Sequence, residues 1–249
     1  ISYLMPEKRV ELMTFFDGQT GKSEVASSMS KLPSPRILGR PVYVLTDRGS
    51  ISAAEEFAYH IQQFKLGILV GETTAGAANN NVFLPLPAGF IASISYGRPI
   101  HPVSKTNWEG VGVAPDKPAP SAAALDLALV EALNVLTQSP DADIKAEATW
   151  ELPAVKARLS PLRAVPEDLR PLAGTYGERV VRWNPGGLTL QRSGGPVLAL
   201  LPLGGDLFAV EGLDIIRFRF NRQNADGIVL EAIYKDGRMQ SAKRNGAPG

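Results

Sequence analysis

A strand followed directly by a helix, in residues 42–65, constrains the fold of this chain more than any other feature. The apolar run 42–45 contains β-branched and aromatic residues, which predicts a short buried strand. From Ala54 to about Lys65, apolar residues recur at the spacing of an amphipathic helix. A second apolar run follows at 68–70. Strand, helix and strand in this order predict a βαβ unit with a parallel sheet and a right-handed crossover.

Ser52 falls where the first strand turns into the helix, and this position has two interpretations. Ser52-Ala53-Ala54-Glu55 fits a capping box, in which hydroxyl and carboxylate bind free amides at the helix start. The same serine fits a nucleophile, because a helix N-terminus favours developing negative charge and the amide of Ala53 can point at an oxyanion. This stretch alone leaves both interpretations open.

Three motifs occur in the order found in the tail-specific (C-terminal processing) peptidase superfamily. They are SAAEEFA at 52–58, VGETTAG at 70–76 and NWEGVGVAPD at 107–116. Over roughly residues 1–137, the chain most resembles the branch that includes the tricorn core protease and interphotoreceptor retinoid-binding protein. The resemblance implies an α/β fold with a crotonase-like (ClpP/crotonase) spiral core. It also implies that Ser52 is the nucleophile and that Glu109 belongs to a Ser-His-Glu relay.

The catalytic base is the least defined part of this predicted site. One branch of the superfamily has a catalytic lysine just after the glycine that matches Gly76, where this chain has Ala77. A Ser-Lys mechanism is therefore disfavoured, and a histidine base is expected. His60 would lie about 12 Å along the helix from the serine, too far for a hydrogen bond. His101 lies in a loop that could reach the cleft, and it is the candidate base if no upstream segment supplies one.

The first residues, Ile1-Ser2-Tyr3-Leu4, are apolar and resemble the end of an element that began earlier. We therefore expect the chain to be the C-terminal part of a longer peptidase, with a core that is incomplete at its N-terminus. The resemblance then implies that a glycine-rich oxyanion turn and the catalytic histidine lie upstream. A second chain that completes the core or pairs with it is the other expected source.

The chain is predicted to contain a catalytic α/β core, a linker and a β module. Apolar spacing in 121–137 predicts a helix that closes the core, which we place at 1–140. Residues 141–171 are predicted to be a linker with a short helix that has Pro153 near its start and is limited by Pro161 and Pro166. From 172 to 249, turn signals recur about every ten residues, which predicts an antiparallel sandwich or small barrel. These signals are Gly186-Gly187, Gly194-Gly195, Gly204-Gly205, Asp226-Gly227 and Asp236-Gly237.

Arginines on one predicted strand of the β module form a charged face. Arg217 and Arg219 alternate with the apolar residues of 216–220, and Arg222 follows. Such a face is either solvated or a site for an anionic ligand, and the solvated face is the commoner arrangement.

Composition excludes several classes of partner. The 26 basic and 25 acidic residues give a net charge of +1 with no basic run, so neither nucleic acid nor an anionic membrane is implied. The absence of cysteine excludes disulfides and thiolate metal sites, and two distant histidines disfavour a histidine metal centre. No stretch approaches the ~20 apolar residues of a membrane span. The resemblance implies no cofactor and favours a periplasmic or secreted bacterial protein.

These features predict a serine-type hydrolase that cleaves peptide or ester bonds. Ser52 would attack an acyl carbon, a histidine would take its proton, and Glu109 would support that imidazole. The amide of Ala53, with a second amide from upstream, would hold the oxyanion. The alternatives are a carboxylesterase, a non-catalytic ligand- or peptide-binding protein on the same fold, and an inert interaction module.

Overall fold

The computed structural model describes residues 1–162, 165–223 and 227–245, and it divides into two compact units, Ile1–Ala128 and Leu129–Gly249. The strands in the described residues are β1 (Glu11–Asp17), β2 (Ser23–Ser27), β3 (Tyr43–Thr46), β4 (Ile68–Gly71), β5 (Asn80–Pro85), β6 (Ile91–Ile100), β7 (Lys117–Pro118), β8 (Gly174–Tyr176), β9 (Arg179–Asn184), β10 (Gly187–Arg192), β11 (Val197–Gly204), β12 (Leu207–Val210), β13 (Leu213–Asn221), β14 (Val229–Tyr234) and β15 (Met239–Asn245). The α-helices are α1 (Ala53–Gln63), α2 (Ser121–Leu136), α3 (Ala142–Leu159) and α4 (Pro166–Leu169), and short 3₁₀ turns occupy Ser2–Leu4, Pro87–Gly89 and Arg170–Leu172.

The predicted βαβ unit is confirmed. Strands β3, β4 and β7 form a parallel sheet in that order, and α1 connects β3 to β4. Neighbouring residues of β4 point to opposite faces of the sheet. Leu69 packs in a cluster with Ile61 of α1, whereas Val70 packs with Ala124 of α2. Strand β4 is therefore buried on both faces, which accounts for its continuously apolar run, whereas Leu45 of β3 is exposed.

Two hairpins of the first unit, β1-β2 and β5-β6, join into one antiparallel sheet with the order β2-β1-β6-β5. Met13 of β1 is fully buried and shares a core cluster with Tyr59 of α1 and with Trp108. This cluster links the antiparallel sheet to α1, the helix that follows Ser52, and to the loop that carries Glu109.

The second unit contains a closed antiparallel barrel, which resolves the sequence alternative between sandwich and barrel. Strands β8 to β15 each pair with the next along the chain, and β15 pairs with β8 to close the barrel. An eight-stranded barrel has an interior just wide enough for side chains to fill. The interior here holds large apolar residues, among them Tyr176, Phe208, Phe218, Phe220 and Leu230. Asp226, the first residue of the predicted Asp226-Gly227 turn, lies outside the described residues.

Helix α3 is longer than the short helix predicted for residues 141–171. It begins after Asp141, whose carboxylate accepts hydrogen bonds from the amides of Asp143 and Ile144 at 3.0 and 3.1 Å. Pro153 lies inside the helix, where it removes one backbone hydrogen bond. Ala148, Val155 and Ala157 of this helix are buried, and their packing offsets that loss. The division of the chain at 140 and 171 stays a prediction.

The predicted solvated face of β13 is confirmed for Arg219 and Arg222 and is wrong for Arg217. The first two side chains are exposed, whereas Arg217 is only 9% exposed. Its guanidinium carbon lies 4.1 Å from the ring centroid of Trp150 on α3. Helix α3 thus covers one arginine of this face. In the described ranges, no helix has both the length and the apolarity needed to cross a bilayer.

Candidate active site

Ser52 occupies a strained and exposed position at the start of α1. Its backbone angles are φ 57° and ψ −119°, outside the regions that L-residues with a Cβ normally adopt. Such a conformation costs about 1–3 kcal/mol and persists only where the surrounding structure enforces it. Ala53 is the first helical residue and is also exposed, and helix geometry leaves its amide without an intrahelical acceptor. An exposed hydroxyl and a free amide therefore lie side by side.

Glu55 holds the backbone of Ser52 in this conformation. Its side chain is fully buried, and one oxygen accepts the amide of Ser52 at 3.0 Å, which confirms the carboxylate half of the predicted capping box. The same carboxylate accepts the Thr74 hydroxyl at 2.5 Å and the amides of Gly76 and Ala77 at 2.6 and 2.9 Å. The helix start and the loop after β4 are thereby fastened to one charged group.

The hydrogen bonds keep Glu55 ionised despite its burial. Burial by itself raises the pKa of this carboxyl group, but the donors from Thr74, Gly76, Ala77 and Ser52 outweigh burial and lower its pKa below the ordinary value. A carboxylate in the first turn of a helix is also favoured by the helix dipole. The charge is therefore a permanent part of the site at neutral pH.

The loop after β4 packs closely on the turn that carries Glu109. The carbonyl of Gly76 accepts the amide of Gly110 at 2.8 Å. Gly76 has φ +85°, and a Cβ there would lie 3.0 Å from the Gly112 nitrogen and 3.1 Å from the Val111 nitrogen. Only glycine allows this approach of two backbones, so the second glycine of the VGETTAG motif is required for steric reasons.

Glu109 binds this same loop from the opposite side. Its carboxylate accepts the amides of Ala78 and Asn79, both at 2.7 Å. The neighbouring Trp108 is 1% exposed, and its ring lies 5.3 Å from that of Tyr59 on α1. The buried indole anchors the turn, while Glu109 itself remains exposed. Ser52 and Glu109 are thus joined through a single loop, residues 76–79, with Glu55 as the intermediate on the serine side.

His60 of α1 and His101 lie together in an aromatic cluster. Their ring centroids are 5.3 Å apart, and the His101 ring lies 4.7 Å from Phe64 and 5.3 Å from Tyr59. His101 is fully buried, and its Nδ1 accepts the amide of Val103 at 3.2 Å. Burial, with a further contribution from His60, lowers the pKa of His101 to about 4, although Glu56 opposes the shift.

Sequence analysis assigned Glu55 only to the cap and missed its role as the anchor of the loop. The signal was present, since the glutamate at the third helical position is followed by Thr74 and Gly76 in the next motif. What the sequence could not show is that the loop folds back onto the helix start. In the described parts of the chain, no three histidine or acidic side chains cluster closely enough to ligate a metal.

Comparison with known proteins bears on this arrangement. A model of peptidase family S41 matches residues 3–119, a range that contains Ser52, the loop at 76–79 and Glu109. Residues 3–119, just under half of the chain, are therefore similar to peptidase family S41. The predicted membership of the tail-specific peptidase superfamily is confirmed for this part of the chain. The barrel unit lies outside the S41 match.

Several solved structures match part of this chain. The photosystem II D1 C-terminal processing protease is 25% identical with a TM-score of 0.35, and the match covers 48% of this chain and 30% of that one. A putative peptidase from Parabacteroides merdae ATCC 43184 is 22% identical with a TM-score of 0.41, covering 57% and 47%. Mature CPAF is 20% identical with a TM-score of 0.35, covering 44% and 22%. The chain thus spans less than half the length of each.

Proposed function

We propose that the first unit carries the nucleophile of a serine peptidase and that Ser52 is this residue. The observation that supports the proposal most is the strained backbone of Ser52, at φ 57°, which lies at an exposed helix N-terminus. Nucleophile elbows of hydrolases use the same strained strand-to-helix turn to present a hydroxyl. A serine that served only as a cap would adopt ordinary extended angles.

The proposed reaction is acyl transfer through Ser52. The Oγ attacks the carbonyl carbon of a peptide bond, a histidine takes the hydroxyl proton, and the oxyanion accepts a hydrogen bond from the amide of Ala53. Collapse of the intermediate breaks the C–N bond, and the imidazolium gives its proton to the leaving amine. Water then releases the acyl group by the same steps. Glu109 orients the imidazole and stabilises its charged form.

The geometry of His101 favours a base other than this residue. A general base works best with a pKa near the operating pH, and the pKa of His101 is lowered to about 4. Its ring would also have to leave the packing against Tyr59 and Phe64 to reach Ser52. We propose that the imidazole comes from outside these residues, either from a longer form of the protein or from a second chain. His101 as the base remains the alternative.

Two finer features are part of the same proposal. The core is proposed to be crotonase-like, since the S41 match and the parallel sheet between α1 and α2 are compatible with that family fold. Esters would react by the same acyl-enzyme chemistry. A binding protein on this fold is the second candidate, and the burial of both His60 and His101 is the observation that favours it.

The decisive experiment is fluorophosphonate labelling of the purified chain, alone and with the upstream family segment supplied, followed by peptide mass spectrometry. An activated serine is labelled at Ser52, and Ser52→Ala abolishes the adduct while Ser50→Ala, two residues earlier, retains it. Neutralising Glu109 as Glu109→Gln should slow labelling, or turnover of a fluorogenic peptide, by about 10²-fold or more. The same assay on His101→Ala tests the alternative base, which predicts an equally large loss.

Two results would count against the proposal. Labelling that is spread over several serines, or unchanged by Ser52→Ala, would remove Ser52 as the nucleophile. A chain with an intact fold that is not labelled, even when the upstream family segment is supplied, would favour the binding protein.

A further inference from the structure

A cavity of about 580 Å³ lies between helix α3 and the wall of the barrel. The residues that line it all belong to the unit Leu129–Gly249, so it is independent of the Ser52 site. Two tryptophans, Trp150 and Trp183, line it together with apolar side chains such as Leu201 and Ile216. Both its volume, within the usual range of about 300–1,000 Å³, and its mainly apolar lining are typical of small-molecule sites.

One cation in this cavity has an unused hydrogen-bond donor. Arg217 is 9% exposed, and its Nη2 is buried with no hydrogen-bond partner among the described residues. Its guanidinium carbon lies 4.1 Å from the ring centroid of Trp150. Trp150 is itself held in place, because its Nε1 donates to the carbonyl of Asp214. A buried, unpaired donor on a charged group is costly, and a ligand acceptor would remove that cost.

Three carboxylates line the cavity with Arg217, and two of them, Glu151 and Asp214, are already engaged by another cation, whereas the third is Glu211. Lys235 donates to Glu147 at 2.6 Å and to Glu151 at 2.8 Å, and it lies 3.6 Å from Asp214. Burial lowers the pKa of Arg217, and the opposing effect of Glu151 is smaller, so the net direction is downward. The guanidinium is therefore only partly compensated by the protein.

We propose that this cavity binds a small amphiphilic carboxylate. Its apolar body packs against Trp150 and Trp183, and its carboxylate accepts a hydrogen bond from Arg217 after a small rotation of the guanidinium. A medium-chain aliphatic acid and a short peptide with an apolar C-terminal residue present the same chemistry. The exposed arginines Arg219 and Arg222 take no part in the site.

Calorimetric titration of the full chain tests the proposal. The probes are decanoate and its neutral analogue 1-decanol, and acetyl-Leu-Phe as the free acid and as the C-terminal amide. Each acid is expected to bind at least about tenfold more tightly than its neutral partner, because a hydrogen bond to a charged group is lost with the carboxylate. Binding of decanoate alone or of the peptide acid alone identifies the source of the ligand.

Substitutions locate the binding site. Arg217→Met should weaken acid binding about tenfold or more and leave decanol binding unchanged. Arg219→Met, two residues along the same strand but exposed, is the matched control and should bind like the parent. Ala154→Trp, which places an indole in the cavity from α3, should weaken both the acid and the neutral probe. Thermal melting of each variant establishes that it is folded.

Three outcomes would overturn the proposal. The first is no heat of binding for either acid at millimolar concentration. The second is equal weakening by Arg217→Met and Arg219→Met, which would mean a general effect of charge. The third is undiminished acid binding in Ala154→Trp, which would place the ligand elsewhere and does not depend on how Arg217→Met folds.

Discussion

At the scale of single residues, Ser52 combines strain with exposure. The helix start could have been closed by an unstrained Ser or Asp cap, yet the backbone is held at φ 57° by the bond from its amide to Glu55. Strain that serves only presentation of a hydroxyl should be removable without harm to the fold. The position is therefore suited to a substitution that separates stability from activity.

We predict that Ser52→Gly is more stable than Ser52→Ala and equally inactive. Glycine adopts φ +57° without cost, whereas alanine keeps the strain, and both variants lose the serine hydroxyl. The expected difference in the free energy of unfolding is about 1 kcal/mol, measured by urea denaturation. Ser50→Gly, in the exposed turn before it, should show no such gain. If alanine proved as stable as glycine, the conformation of Ser52 would not be strained.

At the scale of elements, the loop 74–79 connects α1 to the turn that carries Glu109. Glu55 binds three groups of this loop, and Glu109 binds two of its amides. The loop has little apolar burial of its own, since Thr74 and small residues make up much of it. Its position therefore depends on these two carboxylates.

We predict that Glu55→Gln releases the loop. The Glu55 carboxylate accepts four hydrogen bonds, and a glutamine replaces one of its two accepting oxygens by an NH₂ group that only donates. At least one buried amide therefore loses its acceptor, at a cost of about 3 kcal/mol in unfolding free energy. Hydrogen exchange should increase at Gly76 and Ala77 while the amides of β4 stay protected. Glu56→Gln, half-buried on the same helix, is the control. Unchanged exchange in Glu55→Gln would mean that packing alone holds the loop.

At the scale of the whole molecule, the buried imidazole of His101 couples stability to pH. Its pKa is about 4 in the folded protein and 6.5 as the ordinary value, so between these limits the unfolded chain binds a proton that the folded protein does not. The stabilisation is fully present above pH 6.5 and is lost as the pH falls towards 4. The fold is thus expected to loosen in mild acid.

We predict a loss of about 1.4 kcal/mol from this histidine between pH 7.5 and 5.5, where one proton is taken up by the unfolded state. Urea denaturation at the two pH values measures it, and most carboxyl groups titrate below this window. His101→Leu should flatten the dependence by that amount, whatever its effect on stability at pH 7.5. The same slope in the variant would assign the effect to other groups.

The sequence by itself determined the local elements and their order. Strand β3, helix α1 and strand β4 follow from apolar spacing, and the closed barrel was one of two arrangements that regular glycine turns allowed. The motifs around Ser52 and Glu109 indicated the family that the S41 match then gave for residues 3–119. Such signals are contained within about ten residues, so one chain displays them.

Tertiary structure alone decided which of these residues are buried, strained or paired. Glu55 meets Gly76 and Ala77 across more than twenty positions of sequence, and that contact enforces the conformation of Ser52. Tertiary packing that buries Ala148, Val155 and Ala157 carries α3 through Pro153, against its local preference. The same helix covers Arg217, which is therefore a buried cation instead of a surface residue. Burial and hydrogen bonding between distant segments depend on how the segments pack, and no local pattern records that packing.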